Sequence, residues 1–468
     1  LINANDVVDV IGQPGKVVAL RRSATMSSVF YRTPSQAPRT AVSGAGVYLY
    51  DAQGQRYLDG SGGAAVSCLG HAHPQVIAAI QAQAAKLPYA HTAFFTSTAA
   101  EQLADTLIRQ APTEFGKVYF LSGGSEAMET AMKLARSFHL ANGEHSRSLF
   151  ISRRQSYHGN TLGALSISRN PARRKPYEPL LTNYPRIAPC YAYREQRDDE
   201  SATAYAARAA DELEAAILAA GAENVAAFVA ETVVGATLGA CPAVPGYFTR
   251  IRAICDRYGV LYIADEVMCG MGRTGYAFAT EHEQVTPDLI VVAKGLAGGY
   301  QPLGAVLMRT LLADALTAQG FEHGHTYSGH PTACAAALAV QTVIEQDGLL
   351  PQVRVSGEYL RAQLTERLAP MHVVGEIRGR GLLLGIELVN DPATKLPFEP
   401  GLRVAARLKE AAMTRGLICY PGSGCIDGTR GDHILLAPAY LISRSEMDEL
   451  TDRLALALQD LLTVIRQP

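Results

Sequence analysis

Charge is scarce in this sequence. Only 18% of its 468 residues are Asp, Glu, Lys or Arg, and 42 basic side chains stand against 44 acidic ones, a formal charge of −2. That balance gives no electrostatic reason to expect nucleic acid or an anionic membrane surface as partner. No run approaches the roughly 20 apolar residues a bilayer-spanning helix needs. The opening Leu1-Ile2-Asn3-Ala4-Asn5-Asp6 has no basic stretch leading into an apolar one, so no secretory leader is read there. A first residue other than Met predicts further chain upstream. The eight cysteines (68, 190, 241, 255, 269, 334, 419, 425) form no CxxC pair and have no His at ligand spacing. They are expected as buried or half-buried free thiols in a reducing cytoplasm. Polarity is also too low for disorder.

What is present is interior. Hydrophobic residues make up 48% of the chain and glycines number 42, as in a large compact body; length alone suggests about three domains. Short apolar runs rich in β-branched residues occur at 118–121, 148–151, 225–230, 260–263, 289–293 and 304–308. They do not alternate, which predicts strands covered on both faces. Helical stretches lie between them, at 125–140 and at 203–219, where Leu213, Ile217 and Leu218 form an apolar stripe. Strand alternating with helix predicts a mainly parallel α/β sheet flanked by helices. The flanks differ. A hairpin pattern spans 47–59 with its turn at Ala52-Gln53-Gly54, and strands are expected at 375–388 with helices at 402–415 and after 445. The expected division is a large α/β domain at 76–331 and a smaller α+β domain built from 1–75 and 332–468.

Four features fall at the carboxyl ends of expected strands, where open α/β sheets bind ligands. Ser122-Gly123-Gly124-Ser125-Glu126 follows a strand and opens a helix. Its N–H groups and dipole suit phosphate, while an ordinary turn with Ser125 as N-cap explains it nearly as well. Asp265-Glu266 closes another strand; a carboxylate there is a metal ligand, a charge-paired structural acid or the partner of a protonated ring nitrogen. Lys294, in Ala293-Lys294-Gly295, would lose hydration in a cleft and become a neutral, nucleophilic amine, or else be one more surface lysine. Tyr157-His158-Gly159 offers an aromatic that can stack on a planar group or simply pack a turn. Together, a phosphate cradle, an acid for a ring nitrogen, an aromatic cover and a lysine amine describe pyridoxal 5′-phosphate.

With those residues in view, the sequence resembles the class III pyridoxal-phosphate aminotransferases of fold type I, including the ω-amino acid and amine:pyruvate enzymes, over nearly its whole length. Gly70-His71-Ala72-His73-Pro74, Asp265-Glu266-Val267 with the following Gly270-Met271-Gly272-Arg273-Thr274-Gly275, Ala293-Lys294-Gly295 and His325-Thr326-Tyr327-Ser328-Gly329 carry the resemblance. It implies an imine to Lys294, which also shuttles a proton, and Asp265 on the pyridine nitrogen. It implies Val267 under the ring, Tyr157 above it with His158 beside, Gly124 and Ser125 on the phosphate, and Glu231 near the ring hydroxyl. Thr326 would reach the phosphate of a neighbouring subunit, so a homodimer with shared sites is expected. Phe30, Phe94 and Phe95 fall in stretches that shape the substrate pocket of similar enzymes; core packing is the competing reading. Arg430, in a Gly-rich stretch, is expected either to bind a keto-acid carboxylate and swing out for an amine, or to sit as a solvated loop residue paired with Asp427 or Asp432.

Two departures stand out: Thr232 follows Glu231 where Pro is common, and Met271 replaces a frequent aromatic. His323-Gly324-His325 lacks a third ligand, so no metal is expected. The expected activity is transfer of an amino group from an amine or ω-amino acid to a keto acid such as pyruvate. The same Lys and Asp would serve a racemase, decarboxylase or aminomutase, and a non-catalytic cofactor-binding regulator is the alternative of another class. A nicotinamide dehydrogenase is disfavoured, because the glycine-rich strand–helix turn lacks GxGxxG spacing.

Overall fold

The computed structural model describes residues 27–33 and 37–465; the opening 1–6 lies outside them. The chain first forms an antiparallel meander of β1 (Ala41–Ala45), β2 (Tyr48–Asp51) and β3 (Arg56–Asp59). The expected turn joins β2 to β3. Asp51 Oδ1 accepts the N–H groups of Gln53 and Gln55 at 3.0 and 2.9 Å, and Gly54 supplies the φ of +77° that brings the chain back.

The central sheet follows. Its strands are β4 (Phe115–Leu121), β5 (Leu149–Arg153), β6 (Arg186–Ile187) and β7 (Val225–Glu231). After a small hairpin, β8 (Val233–Val234) with β9 (Cys241–Pro242), come β10 (Leu261–Asp265), β11 (Leu289–Val292) and β12 (Gly304–Arg309). The seven strands lie in the order β4-β12-β11-β10-β7-β5-β6. The pairings from β11 through β6 are parallel, and β12 alone runs antiparallel to both its neighbours. The sheet is therefore mainly parallel with one reversed strand.

Burial explains the unbroken apolar runs. β7, β10 and β11 are buried along their whole length. Alternate side chains leave on opposite faces: Ala227, Val229, Leu261 and Ile263 pack with the helix Gly124–Ala141. Phe228, Ala230, Tyr262 and Ala264 pack with Ala202–Ala220 and Tyr247–Tyr258. On Ala202–Ala220 the stripe is narrower than expected: Leu213 and Ile217 are buried, but Leu218 is exposed. It lies about 100° round the helix from Ile217, on the solvent side.

The last third of the chain adds β13 (Val374–Arg380), β14 (Leu383–Leu388), β15 (Leu417–Ile418), β16 (Tyr420–Ser423) and β17 (Asp432–Leu436). Four of them form the sheet β13-β14-β17-β16, while β15 pairs in parallel with β3. The smaller α+β part is thus stitched from both ends of the chain, and Val47 and Leu58 share one core with Leu408 and Leu454 from the C-terminal helices. All eight cysteines are free and buried. Among the described residues no helix is long and apolar enough to cross a membrane.

Candidate active site

The carboxyl ends of β4, β5, β7, β10 and β11 open onto one cavity of about 490 Å³. Ser122, Gly123, Gly124 and Ser125 line it after β4, and Tyr157, His158 and Gly159 after β5. Glu231 enters from β7, Asp265, Val267 and Met268 from the end of β10, and Ala293 and Lys294 from beyond β11.

At the β4 end the helix begins at Gly124 with Gly123 as N-cap, not with Ser125 in that role. Ser125 lies inside the first turn, where its hydroxyl donates to Asn160 Oδ1 at 2.8 Å and accepts the Asn160 N–H at 3.1 Å. The turn's first N–H groups have no helical carbonyl to bind, and the residues carrying them line the cavity. Gly159 makes this approach possible: at φ +146°, a Cβ there would sit 2.8 Å from Ala164 Cβ and 2.9 Å from Ser125 Cα. Gly124 likewise lies against Val267, whose Cγ1 would be 3.0 Å from an added Cβ.

Asp265 is buried and doubly held. Its Oδ2 lies 2.7 Å from His158 Nδ1, and its Oδ1 accepts the Val267 N–H at 3.0 Å. A carboxylate only accepts, so the shared proton is on Nδ1 when Asp265 is ionised. His158 is fixed in turn by its own N–H, which Ser168 Oγ accepts at 2.8 Å, and its Nε2 is buried with no partner among the described residues. Glu231 spans two loops, accepting Tyr157 N–H at 3.0 Å and Gly235 N–H at 2.9 Å. Burial raises its carboxyl above the ordinary range; the His158 ring opposes the rise and the Asp265 carboxylate adds to it.

Lys294 stands opposite these acids with a left-handed φ of +46°. For a residue with a Cβ that conformation costs about 1–3 kcal/mol, and here it sits next to Ala293 and Gly295. Burial pulls its amine below the ordinary value, against the charges of Asp265 and Glu231.

Glu266, the first residue after the strand, does not line the cavity. It is fully buried and accepts from Thr232 Oγ1 at 2.7 Å, Ala279 N–H at 2.8 Å and Thr280 N–H at 2.9 Å. Thr232 therefore supplies a donor that Pro could not. Burial raises the Glu266 carboxyl, partly offset by those donors. The Gly-Arg-Thr-Gly loop is a clasp. Arg273 Nη1 donates to the carbonyls of Leu382 and Pro438 at 3.2 and 2.6 Å, and its guanidinium lies 4.6 Å over the Tyr440 ring.

The remaining expected residues do not line this cavity. Thr326 is exposed, and its carbonyl accepts from Tyr89 Oη at 3.0 Å. Phe30, Phe94 and Phe95 are 88%, 80% and 69% exposed. Arg430, 58% exposed, donates from Nε to Asp427 Oδ2 at 2.7 Å. His323 and His325 are used separately, against Thr130 Oγ1 and Ser122 Oγ, and among the described residues no three metal-ligating side chains converge. Sequence reasoning did not find Asn160, Ser168 or the role of Glu266; their signals are single polar residues with no spacing rule.

A mainly parallel sheet whose carboxyl edge brings together a strand-end lysine, a histidine-backed aspartate and an open helix start defines a pyridoxal-phosphate type of α/β transferase. Comparison with known proteins narrows this. The family profile Aminotransferase class-III matches residues 30–458. An uncharacterized aminotransferase of Schizosaccharomyces pombe is 45% identical over 441 residues, covering 93% of this chain and 95% of that one. An (S)-enantioselective omega-transaminase from Thermomicrobium roseum superposes with a TM-score of 0.86 at 36% identity, over 93% and 95% of the two chains. The PMP-bound form of an aminotransferase from Vibrio fluvialis gives 0.87 at 32% identity, over 94% and 97%. The chain belongs to the class III aminotransferases, and its function is pyridoxal-phosphate-dependent transamination.

Two outcomes test this account of the site. Thr232→Val leaves the buried Glu266 short of a donor and lowers stability by about 1–3 kcal/mol, read by denaturant unfolding; an unchanged midpoint would remove Thr232 from the network. Lys294→Met stabilises the apoprotein by removing a buried amine. The unfolded lysine keeps its proton up to its ordinary 10.5, whereas the folded one releases it at lower pH. Wild-type stability therefore rises with pH through that window. The advantage of the variant shrinks as pH rises toward 10.5, and a pH-independent difference contradicts a depressed lysine.

Proposed function

We propose that the cavity holds pyridoxal 5′-phosphate and that the chain transfers an amino group from an amine or ω-amino acid to a keto acid such as pyruvate. The observation that carries this reading is the meeting of Lys294, the Asp265–His158 pair and the Gly123–Ser125 helix start around one cavity. The donor set fits the cofactor: a ring of N–H groups suits its phosphate, a held carboxylate suits its ring nitrogen, and Val267 and Tyr157 offer surfaces for its two faces. Bound there, the cofactor supplies an electron sink for bond breaking at the substrate's amino carbon.

The residues divide the rest of the work. Asp265 keeps a proton at the ring nitrogen, and His158 keeps Asp265 aimed there. Lys294, whose hold on its proton burial weakens, takes the proton from the amino carbon and returns it on the other side of the transfer. Val267, Leu303 and Val66 exclude water from the floor and walls. Glu231 orders the Tyr157 loop. The omega-transaminase neighbours support an amine donor.

Assembly belongs to the same proposal. Thr326 reaches the phosphate of a neighbouring subunit in a cytoplasmic homodimer, a reading supported by exposed aromatic side chains at Phe30, Phe94, Phe95 and Tyr327 that a second copy would cover.

A panel of amines and ω-amino acids against pyruvate and 2-oxoglutarate, followed by keto product, decides donor and acceptor; no turnover with any carboxylate acceptor would sink the reading. Asp265→Asn slows single turnover by about 10²-fold or more with little change in substrate half-saturation, and an unchanged rate would make Asp265 a structural acid. In sedimentation the active species is a dimer, and Thr326→Ala weakens cofactor retention; a fully active monomer contradicts shared sites.

A further inference from the structure

Arg173 sits in the four-residue helix Pro171–Arg174. Its guanidinium carbon lies 4.2 Å from the centroid of the Tyr157 ring, the aromatic that lines the cavity. Its neighbours spend their charge on structure. Arg174 Nη1 donates to the carbonyls of Leu165, Ser166 and Ser168 at 2.6, 2.9 and 2.8 Å, and Arg169 donates to Asn183 Oδ1 at 3.3 Å. Arg173 does none of this. Among the described residues its side chain has no ion pair and no hydrogen bond, although it is half-buried.

The mount is rigid. Asn170 Oδ1 accepts the Arg173 N–H at 3.3 Å, and Asn170 Nδ2 donates to Gln155 Oε1 at 3.1 Å. A guanidinium held over an aromatic ring by its cation–π contact still has N–H groups to donate, and that planar fork matches a carboxylate. A half-buried cation without a counter-ion can accept an anion without breaking an existing pair. Arg430, by contrast, already has Asp427.

We propose that Arg173 receives the carboxylate of the substrate, and that this fixed residue sets the preference for keto acids and ω-amino acids. The proposal rests on the reading above, in which such compounds are substrates.

The experiment uses the holoenzyme and four forms: wild type, Arg173→Gln, Arg173→Lys and Arg430→Ala. Cofactor absorbance follows each half-reaction, with pyruvate on one side and 1-phenylethylamine, which has no carboxylate, on the other. Arg173→Gln is expected to raise the half-saturation for pyruvate by about ten- to hundredfold, the scale of a charged hydrogen bond, and to leave the amine half-reaction nearly unchanged. Arg173→Lys recovers part of the loss. Equal losses on both sides overturn the proposal, as does no loss, a selective loss confined to Arg430→Ala, or weakened cofactor retention with unchanged selectivity. A titration of the resting holoenzyme with propionate, an unreactive carboxylate, reads the same contact without turnover. Binding of propionate that depends on Arg173 in a protein that transaminates no keto acid would sink the substrate reading and keep the contact.

Discussion

The hydrogen bond between His158 Nδ1 and Asp265 Oδ2 is the constraint on which the site depends. A carboxylate at the end of a fully buried strand is unstable unless something donates to it, and Asp265 obtains its donors from two loops, His158 after β5 and Val267 beyond β10. That requirement fixes where the β5 loop must run. With His158 pinned, Tyr157 comes to the cavity mouth, Gly159 passes against the helix start, and Asn160 reaches Ser125. One buried acid thereby ties the β5 loop to the helix start at Gly124 and Ser125.

Adjacent carboxylates on one strand show how the pleat separates chemistry from construction. Asp265 and Glu266 follow each other, so they leave on opposite sides. Asp265 faces the cavity. Glu266 faces inward and gathers four donors, including Cys269 Sγ at 3.4 Å, from the loops at 232 and 269–280. The second acid holds the loop that Arg273 then ties to the carbonyls of Leu382 and Pro438, which joins the end of β10 to the C-terminal sheet.

Much of the fold was legible because burial on both faces leaves an unmistakable mark: Val225–Glu231 and Leu289–Val292 are continuous apolar runs. Direction left no such mark. Gly304–Arg309 is as apolar as its neighbours, yet runs the other way, because an apolar run is the same read from either end. The hairpin at 52–54 was legible through Asp51 and Gly54, whose chemistry is local. Serine favours a cap position, one of the two expectations for Ser125 beside phosphate binding, but its hydroxyl bonds Asn160, a partner 35 residues away. Thr232 looked like a mere departure for the same reason: its partner, Glu266, lies 34 residues on. Strand ends pointed to the acid and the lysine, while everything that orients them depends on contacts no linear spacing encodes.

The same limit explains the substrate side. Phe30, Phe94, Phe95 and Thr326 are exposed and do not line the cavity. Arg173 is different, because its position follows from contacts within the chain: Asn170 caps its short helix, Gln155 holds Asn170, and Tyr157 carries its guanidinium. Each of those residues belongs to the β5 loop system that the Asp265–His158 bond sets in place. The placement of the Arg173 guanidinium over Tyr157 is therefore a consequence of how the buried Asp265 carboxylate is held by His158.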